Sequence, residues 1–382
     1  MDVVAVAQSL AAEVRQRAPE IESGRRLPAD LSQKLAEAGL FRMLVPAEYG
    51  GLETSPVDVA RAIETLAQAD ASAGWCLMIS ATTASLAARL PADQARHIYG
   101  EANVITGGVF APMGRAVEDG DDYVVTGRWK WGSHTQNCRW IAGGAMLMDG
   151  DKPRLDAEGQ PMHRMMVFSA DQVELHDTWY TAGLAGSGSL DFSVREARVP
   201  KTRSVALQSD PLLVKGAAFK FPAFGLLAMG IAAVALGNAR AALLAAGQQA
   251  TAKSSEGSQR TLAERNMTQA EFAQAVAALS AARALFYEAV GLCWHAAQSG
   301  GPIPQDLRAR LRLACTHAAR TCADVCRTAY DLLGGQAVFL DSELQRRFRD
   351  ANVMTHHVMV APASWELAGR VLLGQPTRDS ML

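Results

Sequence analysis

The chain has 382 residues, with 37 Lys and Arg against 39 Asp and Glu, a net charge of −2. That length exceeds one compact core and predicts two or three structural units. Near neutrality without a basic block, and only 6% aromatic residues, exclude an electrostatic nucleic-acid binder and a base-stacking platform.

Residues 1–102 read as an N-terminal helical domain. Val6, Leu10 and Val14 recur every four positions, as do Leu31 and Leu35 before Gly39 stops the turn. Ser55-Pro56-Val57-Asp58 offers an N-cap, a proline at the first helical position and an acid three residues after the cap. Val59, Ile63 and Leu66 then share one face. Met1–Leu10 carries Asp2 and no Lys or Arg, so no signal peptide is expected.

Residues 103–205 change pattern and read as a β-sandwich or barrel domain. Tyr123 to Trp129 follow the turn-like Asp119-Gly120-Asp121-Asp122, and Met165–Phe168 and Asp191–Val194 are further short strands. Asp149-Gly150-Asp151-Lys152-Pro153 reads as an exposed hairpin loop. Gly186-Ser187-Gly188-Ser189 reads as a tight turn between strands, with a backbone anion cradle as the other reading.

Residues 206–382 read as a C-terminal helical bundle. Long helices are predicted over about 222–253, 268–299 and 304–333, separated by Gly300-Gly301-Pro302 and Gly334-Gly335. A fourth starts near Ser342 and must break at Pro362. Two uncharged runs, between Asp70 and Arg89 and between Lys220 and Arg240, approach the ~20 residues of a membrane span. Their Ser, Thr, Ala and Gly content fits helices buried on all sides better, so no membrane is expected.

Cys76, Cys138, Cys293, Cys315, Cys322 and Cys326 form no CxxC pair and read as reduced thiols of a cytoplasmic protein. Cys315, Cys322 and Cys326 share a helix face. Core packing explains them better than a metal site with His317, which points the other way. GxGxxG after a strand, GxxxxGK[ST], HExxH and GxSxG are all absent.

Five segments together resemble the acyl-CoA dehydrogenase superfamily. They are Leu40 to Gly51 with Pro46-Ala47-Glu48-Tyr49-Gly50-Gly51, Val124 to His134, Trp179 to Pro200, Gly230 to Gly237, and Leu332-Leu333-Gly334-Gly335 followed by Arg349-Asp350. They span nearly the whole length in order. The resemblance implies that superfamily's fold: an N-terminal helical domain, a middle β domain and a C-terminal four-helix bundle.

Departures from the superfamily narrow the chemistry. Its dehydrogenases use a carboxylate base, in a "YEG" motif after the Arg-Asp pair or on the helix that opens the bundle. Residues 351–361 contain no Asp or Glu, and none occurs between Asp210 and Glu256. The R-x-x-F-G segment that helps hold FAD is also missing, with Ala246-Gly247-Gln248 in its place. Thr355-His356-His357 fills the base region.

That pattern resembles the oxygenase components of two-component flavin-dependent monooxygenases. It implies reduced flavin (FMN or FAD) from a separate reductase, O₂ as co-substrate, a flavin C4a-(hydro)peroxide, and hydroxylation of an aromatic or polyketide-like small molecule. It also implies a homotetramer, with Gly334 and Gly335 near a neighbour's flavin. His357, seven residues past Asp350, would handle the proton chemistry on a helix face, with His356 the lesser candidate. Ser133 would donate to flavin N5, Trp131 would pack on the isoalloxazine, and Gly132 and Ser187 would complete the flavin site. The role of His134 is left open, and one of Arg346, Arg347 and Arg349 would hold the flavin phosphate. The rival readings are a dehydrogenase-like flavoprotein with an unusual base and a non-catalytic member.

Overall fold

The computed structural model describes residues 1–254, 259–377 and 382. Glu256, which bounds the carboxylate-free stretch, lies outside them. The N-terminal unit contains helices α1 (Val3–Gln16), α2 (Ala18–Ser23), α3 (Ala29–Glu37), α4 (Pro56–Ala69), α5 (Ala71–Ala84) and α6 (Ala92–Tyr99). Helix α4 starts as its sequence dictates. Pro56 occupies the first turn, and the Ser55 hydroxyl accepts from the Asp58 amide at 3.1 Å, satisfying a donor the helix itself cannot. Val59, Ile63 and Leu66 are buried.

The central unit is one mixed eight-stranded sheet. Its strands are β1 (Thr106–Asp119), β2 (Asp122–Gly132), β3 (Trp140–Asp149), β4 (Lys152–Pro153), β5 (His163–Ser169), β6 (Glu174–His176), β7 (Leu190–Pro200) and β8 (Ser204–Val205). The order is β6-β7-β2-β1-β3-β5-β8, with β4 paired to β3 and the β1–β3 pair parallel. The Asp-Gly turns close hairpins as expected, and Gly120 and Gly150 both adopt left-handed φ. Trp129 fills the sheet's core: it is buried, stacks on Phe192 at 5.0 Å, and donates to the Gly144 carbonyl at 2.7 Å.

The C-terminal unit contains α7 (Ala223–Ala252), α8 (Asn266–Gln298), α9 (Gln305–Leu332), α10 (Glu343–Met354) and α11 (Ala363–Leu372). Among the described residues, three helical stretches are long and apolar enough to cross a bilayer by length and composition. Residues 71–89 and α7 are 89% and 94% buried inside the fold over their most apolar windows. Helix α7 packs against α4, α5 and α9, which explains why it shows no polar face. Cys315, Cys322 and Cys326 are buried packing residues with thiols pushed up by burial. His317 faces Trp365 instead, edge to ring at 6.5 Å.

One expectation is corrected. The helix that precedes the histidine pair ends at Met354, with Thr355 as its C-cap. His356 and His357 therefore lie beyond it, and helical geometry does not separate them. His357 has extended ψ and starts a short 3₁₀ turn at Val358–Val360.

Candidate active site

Three parts of the chain meet around Trp75. Helix α5 starts where the Asp70 carboxylate caps the Ala73 amide at 2.9 Å, and it carries Trp75 into the interior. From the sheet comes Ser133, whose hydroxyl accepts from Trp75 Nε1 at 3.0 Å. From beyond α10 comes His357, whose ring stands edge-on to Trp75 at 5.8 Å. Trp75 and Ser133 are buried, while His357 is half-buried.

A bulge places Ser133. On β2, Trp129 pairs with Phe192 and Gly132 with Leu190, so β2 spends one residue more than β7. The surplus is absorbed near Trp131, which has φ of 66° and is 60% exposed. Left-handed φ is costly for a bulky residue. The Ser133 amide bonds back to the Trp131 carbonyl at 2.9 Å, closing a tight turn over Gly132. A Cβ at Gly132 would come within 2.7 Å of the Phe192 ring. Of the two tryptophans in this strand, Trp129 is the core residue and Trp131 presents an open indole face.

The loop before β7 supplies two more hydroxyls. Ser133 Oγ lies 2.6 Å from Ser189 Oγ, Ser189 Oγ lies 2.7 Å from Ser187 Oγ, and Ser187 donates to the Leu184 carbonyl at 2.7 Å. Helix α10 pins this loop. The Leu184 amide donates to Asp350 at 2.6 Å, and Arg349 bonds to the Ala182 carbonyl. Gly183 is required here, because a Cβ would sit 2.4 Å from the Arg349 carbonyl oxygen. The Gly186–Ser189 stretch is a tight turn whose serine side chains are buried, and the Ser187 and Gly188 amides are spent on the Leu184 and Ala185 carbonyls just before it.

These contacts favour an acceptor role for Ser133, where a donor was expected. Each serine hydroxyl has one proton. With the Ser187 proton on the Leu184 carbonyl, which also accepts from the Ser187 amide and Trp179 Nε1, Ser189 donates to Ser187 and Ser133 to Ser189. Ser133 accepts from Trp75, and one lone pair remains to face a ligand, so Ser133 is an acceptor. Ser187 is buried two hydroxyls behind Trp75 and reaches the site only through Ser189.

His134 is a structural pin. It is buried, with Nε2 2.7 Å from Ser32 Oγ and Nδ1 2.8 Å from Ser80 Oγ, and its amide donates to the Ser187 carbonyl at 2.9 Å. Burial pushes its pKa down to about 3, so a neutral imidazole ties α3 and α5 to the sheet. His357 is likewise pushed down to about 4, chiefly by burial, with the Arg312 charge adding to the effect. Its Nδ1 accepts from the Met359 amide at 3.2 Å. The neutral ring therefore carries its proton on Nε2 and offers a donor. His356 is exposed.

Two of the three candidate arginines are committed to the fold. Buried Arg347 pairs with Glu343 at 2.5 Å and donates to Asn238 and to the Gln68 and Ala69 carbonyls. Arg349 bonds to Gln345, Ala182 and Glu22. Half-exposed Arg346 makes no side-chain hydrogen bond among the described residues and lies in the field of buried Asp70 and Asp350. Gly334 and Gly335 are exposed just after α9, with nothing within 4 Å of an added Cβ.

The sequence matches the acyl-CoA dehydrogenase N-terminal domain over residues 3–97 and the C-terminal domain over residues 229–362. The chain belongs to the acyl-CoA dehydrogenase family. Within it, the chain is 34% identical to an indole-3-acetate monooxygenase of Pseudomonas putida over 94% of this chain and 91% of that protein. It is 26% identical to the flavin-dependent monooxygenase oxygenase subunit HsaA of Mycobacterium tuberculosis, over 100% and 97% of the two chains. The crystal structure of the M. tuberculosis HsaA monooxygenase superposes with a TM-score of 0.89 at 25% identity, covering 100% and 99%.

Proposed function

We propose that this chain is the oxygenase component of a two-component flavin-dependent monooxygenase that hydroxylates an aromatic small molecule. The observation that carries the reading is the Trp75–Ser133–His357 cluster. It has a neutral histidine in the segment where a dehydrogenase would need a carboxylate, and residues 351–361 contain none. The similarity to monooxygenases over nearly the full length supports the same choice, and the oxygenase-subunit name of one relative supports a separate reductase as partner.

The residues present fit a reduced flavin. Trp131 offers an open indole face, and Ser133 holds one unspent lone pair. Bound there, reduced flavin would supply the two electrons that activate O₂. The chain's own groups have distinct tasks. Trp131 would cover the ring system, and Ser133 would accept from N5–H. Trp75 fixes both Ser133 and His357, and His357 Nε2–H would donate to a substrate oxygen. Arg346 is the arginine available for a flavin phosphate.

The test is anaerobic titration with reduced FMN and reduced FAD, followed by mixing with O₂ and an aromatic substrate. Binding of reduced flavin, with product formed on mixing, is expected. Oxidation of acyl-CoA by a yellow protein would favour the dehydrogenase, and failure to bind either flavin form would favour a non-catalytic member. In Ser133→Ala the lost hydrogen bond of about 1–3 kcal/mol should cut product per reduced flavin consumed about 5- to 150-fold, with H₂O₂ released instead. Unchanged coupling would make Ser133 purely structural.

The homotetramer is proposed on exposed apolar surface. Val338, Phe339 and Leu340 are 57%, 62% and 89% exposed beside Gly334 and Gly335, and only 33% of the most apolar stretch of α8 is buried. Patches of this kind mark interfaces. Light scattering at micromolar concentration should give a four-chain mass; a monomer would remove the claim. The six unpaired, buried thiols support a reducing cytoplasm as the compartment.

A further inference from the structure

We propose that Ser189 is a positioning residue that makes the site choose reduced over oxidised flavin. The inference rests on the reading above that Ser133 meets flavin N5. Its carrier is the one-way order of the hydroxyl chain. The order starts at the Leu184 carbonyl, which can only accept. Ser187 therefore donates to it at 2.7 Å, Ser189 to Ser187 at 2.7 Å, and Ser133 to Ser189 at 2.6 Å. At the far end Trp75 Nε1, which can only donate, gives its proton to Ser133 at 3.0 Å. While the Ser187 hydroxyl donates to Leu184, Ser189 has only Ser187 to give its proton to and Ser133 only Ser189, and the lone pair Ser133 keeps takes the Trp75 proton.

The chain is also closed to water. Trp75, Ser133, Ser187 and Ser189 are all buried, so a solvent molecule is not at hand to re-pair a turned hydroxyl. The Leu184 end is held by the Asp350 bond to its amide, at a left-handed φ of 52°. Ser133 thus shows a lone pair and no proton to whatever lies before it. N5 of reduced flavin carries a hydrogen and can donate to that lone pair. N5 of oxidised flavin carries only a lone pair, and the two would repel. Ser189 never needs to touch the flavin. It acts by taking the one proton that Ser133 could otherwise turn outward.

The experiment compares dissociation constants for oxidised and anaerobically reduced FMN and FAD in the wild type, Ser189→Ala and Ser189→Thr. Ser189→Ala frees the Ser133 proton to meet oxidised N5, so the preference for the reduced form should shrink about 10- to 100-fold. Ser189→Thr keeps the hydroxyl and should keep the preference. General damage to the pocket would weaken both forms together and leave the ratio unmoved. If Ser189→Ala does not fold, Ser187→Ala serves. It removes the acceptor that holds the Ser189 proton, lets that proton turn to Ser133, and should shrink the ratio likewise. A wild-type preference that survives in the alanine variant overturns the role of Ser189 while the flavin reading stands. A wild type that binds both forms equally does the same. A wild type that binds neither form overturns the flavin reading, and this proposal with it.

Discussion

His357→Ala should lower hydroxylation by about 10²–10³-fold, the usual cost of removing one oriented donor from a catalytic site, while reduced-flavin binding stays near the wild-type value. His356→Ala should be mild, because His356 is exposed. A third variant separates the possible tasks of His357. With Nδ1 taken by the Met359 amide, the neutral ring offers Nε2–H and no free lone pair. Glutamine can place an N–H close to that position but cannot act as a base at neutral pH. His357→Gln should therefore recover a measurable part of the activity lost in His357→Ala. Glutamine as inactive as alanine would point to base catalysis with a displaced Met359 bond. The pH profile gives an independent check. Burial has already pushed the His357 pKa down to about 4, so the imidazole stays neutral from pH 6 upward and should add no inflection near the ordinary histidine value of about 6.5.

The chain announces its α–β–α order because each unit carries short-range signals. Ser55-Pro56 caps a helix, Gly120 and Gly150 turn hairpins, and the uncharged runs that become α5 and α7 are apolar all round because they are packed all round. The site is less legible because its bonds are long in sequence. Trp75 reaches Ser133 across 58 positions, and Leu184 reaches Asp350 across 166. Nothing marks Trp75 beforehand, since every helical face around it is buried and no periodicity singles it out. Ser189 stood inside a stretch that reads as a turn, and its task depends on which neighbour takes which proton. The end of α10 at Met354 was hidden for another reason: neither Gly nor Pro occurs between Ser342 and Ala361, and the first breaker, Pro362, comes eight residues too late. A pair of histidines at a helix terminus and a pair within a helix look the same in sequence, and only the capping bond from the Met359 amide to His357 tells them apart.

Asp350→Asn should make the fold more stable at neutral and alkaline pH and change little at acid pH. Asp350 is buried, and burial pushes its pKa up to about 7, with the nearby charge of Asp70 adding to the rise. An unfolded aspartate titrates near 3.9. The folded state then holds a proton that the unfolded state has released, so stability falls as pH rises. The contribution is intact below about pH 4, declines through pH 7 and is flat above it; the span is about 3 pKa units, or about 4 kcal/mol. Buried His134 and half-buried His357 act in the opposite sense. Their folded pKa values, about 3 and about 4, lie below the unfolded value, so they add stability as pH rises toward 6.5. The wild-type curve alone would blend these effects, and the difference between variant and wild type isolates Asp350. Asparagine keeps an oxygen to accept from the Leu184 amide, so the loop that carries Ser187 and Ser189 stays anchored. Urea midpoints measured from pH 4 to pH 8 should diverge in favour of Asp350→Asn up to about pH 7 and keep that gap above it. Parallel curves would mean that Arg346 keeps Asp350 ionised in the folded protein, and the carboxylate would then be a paired charge instead of a buried acid.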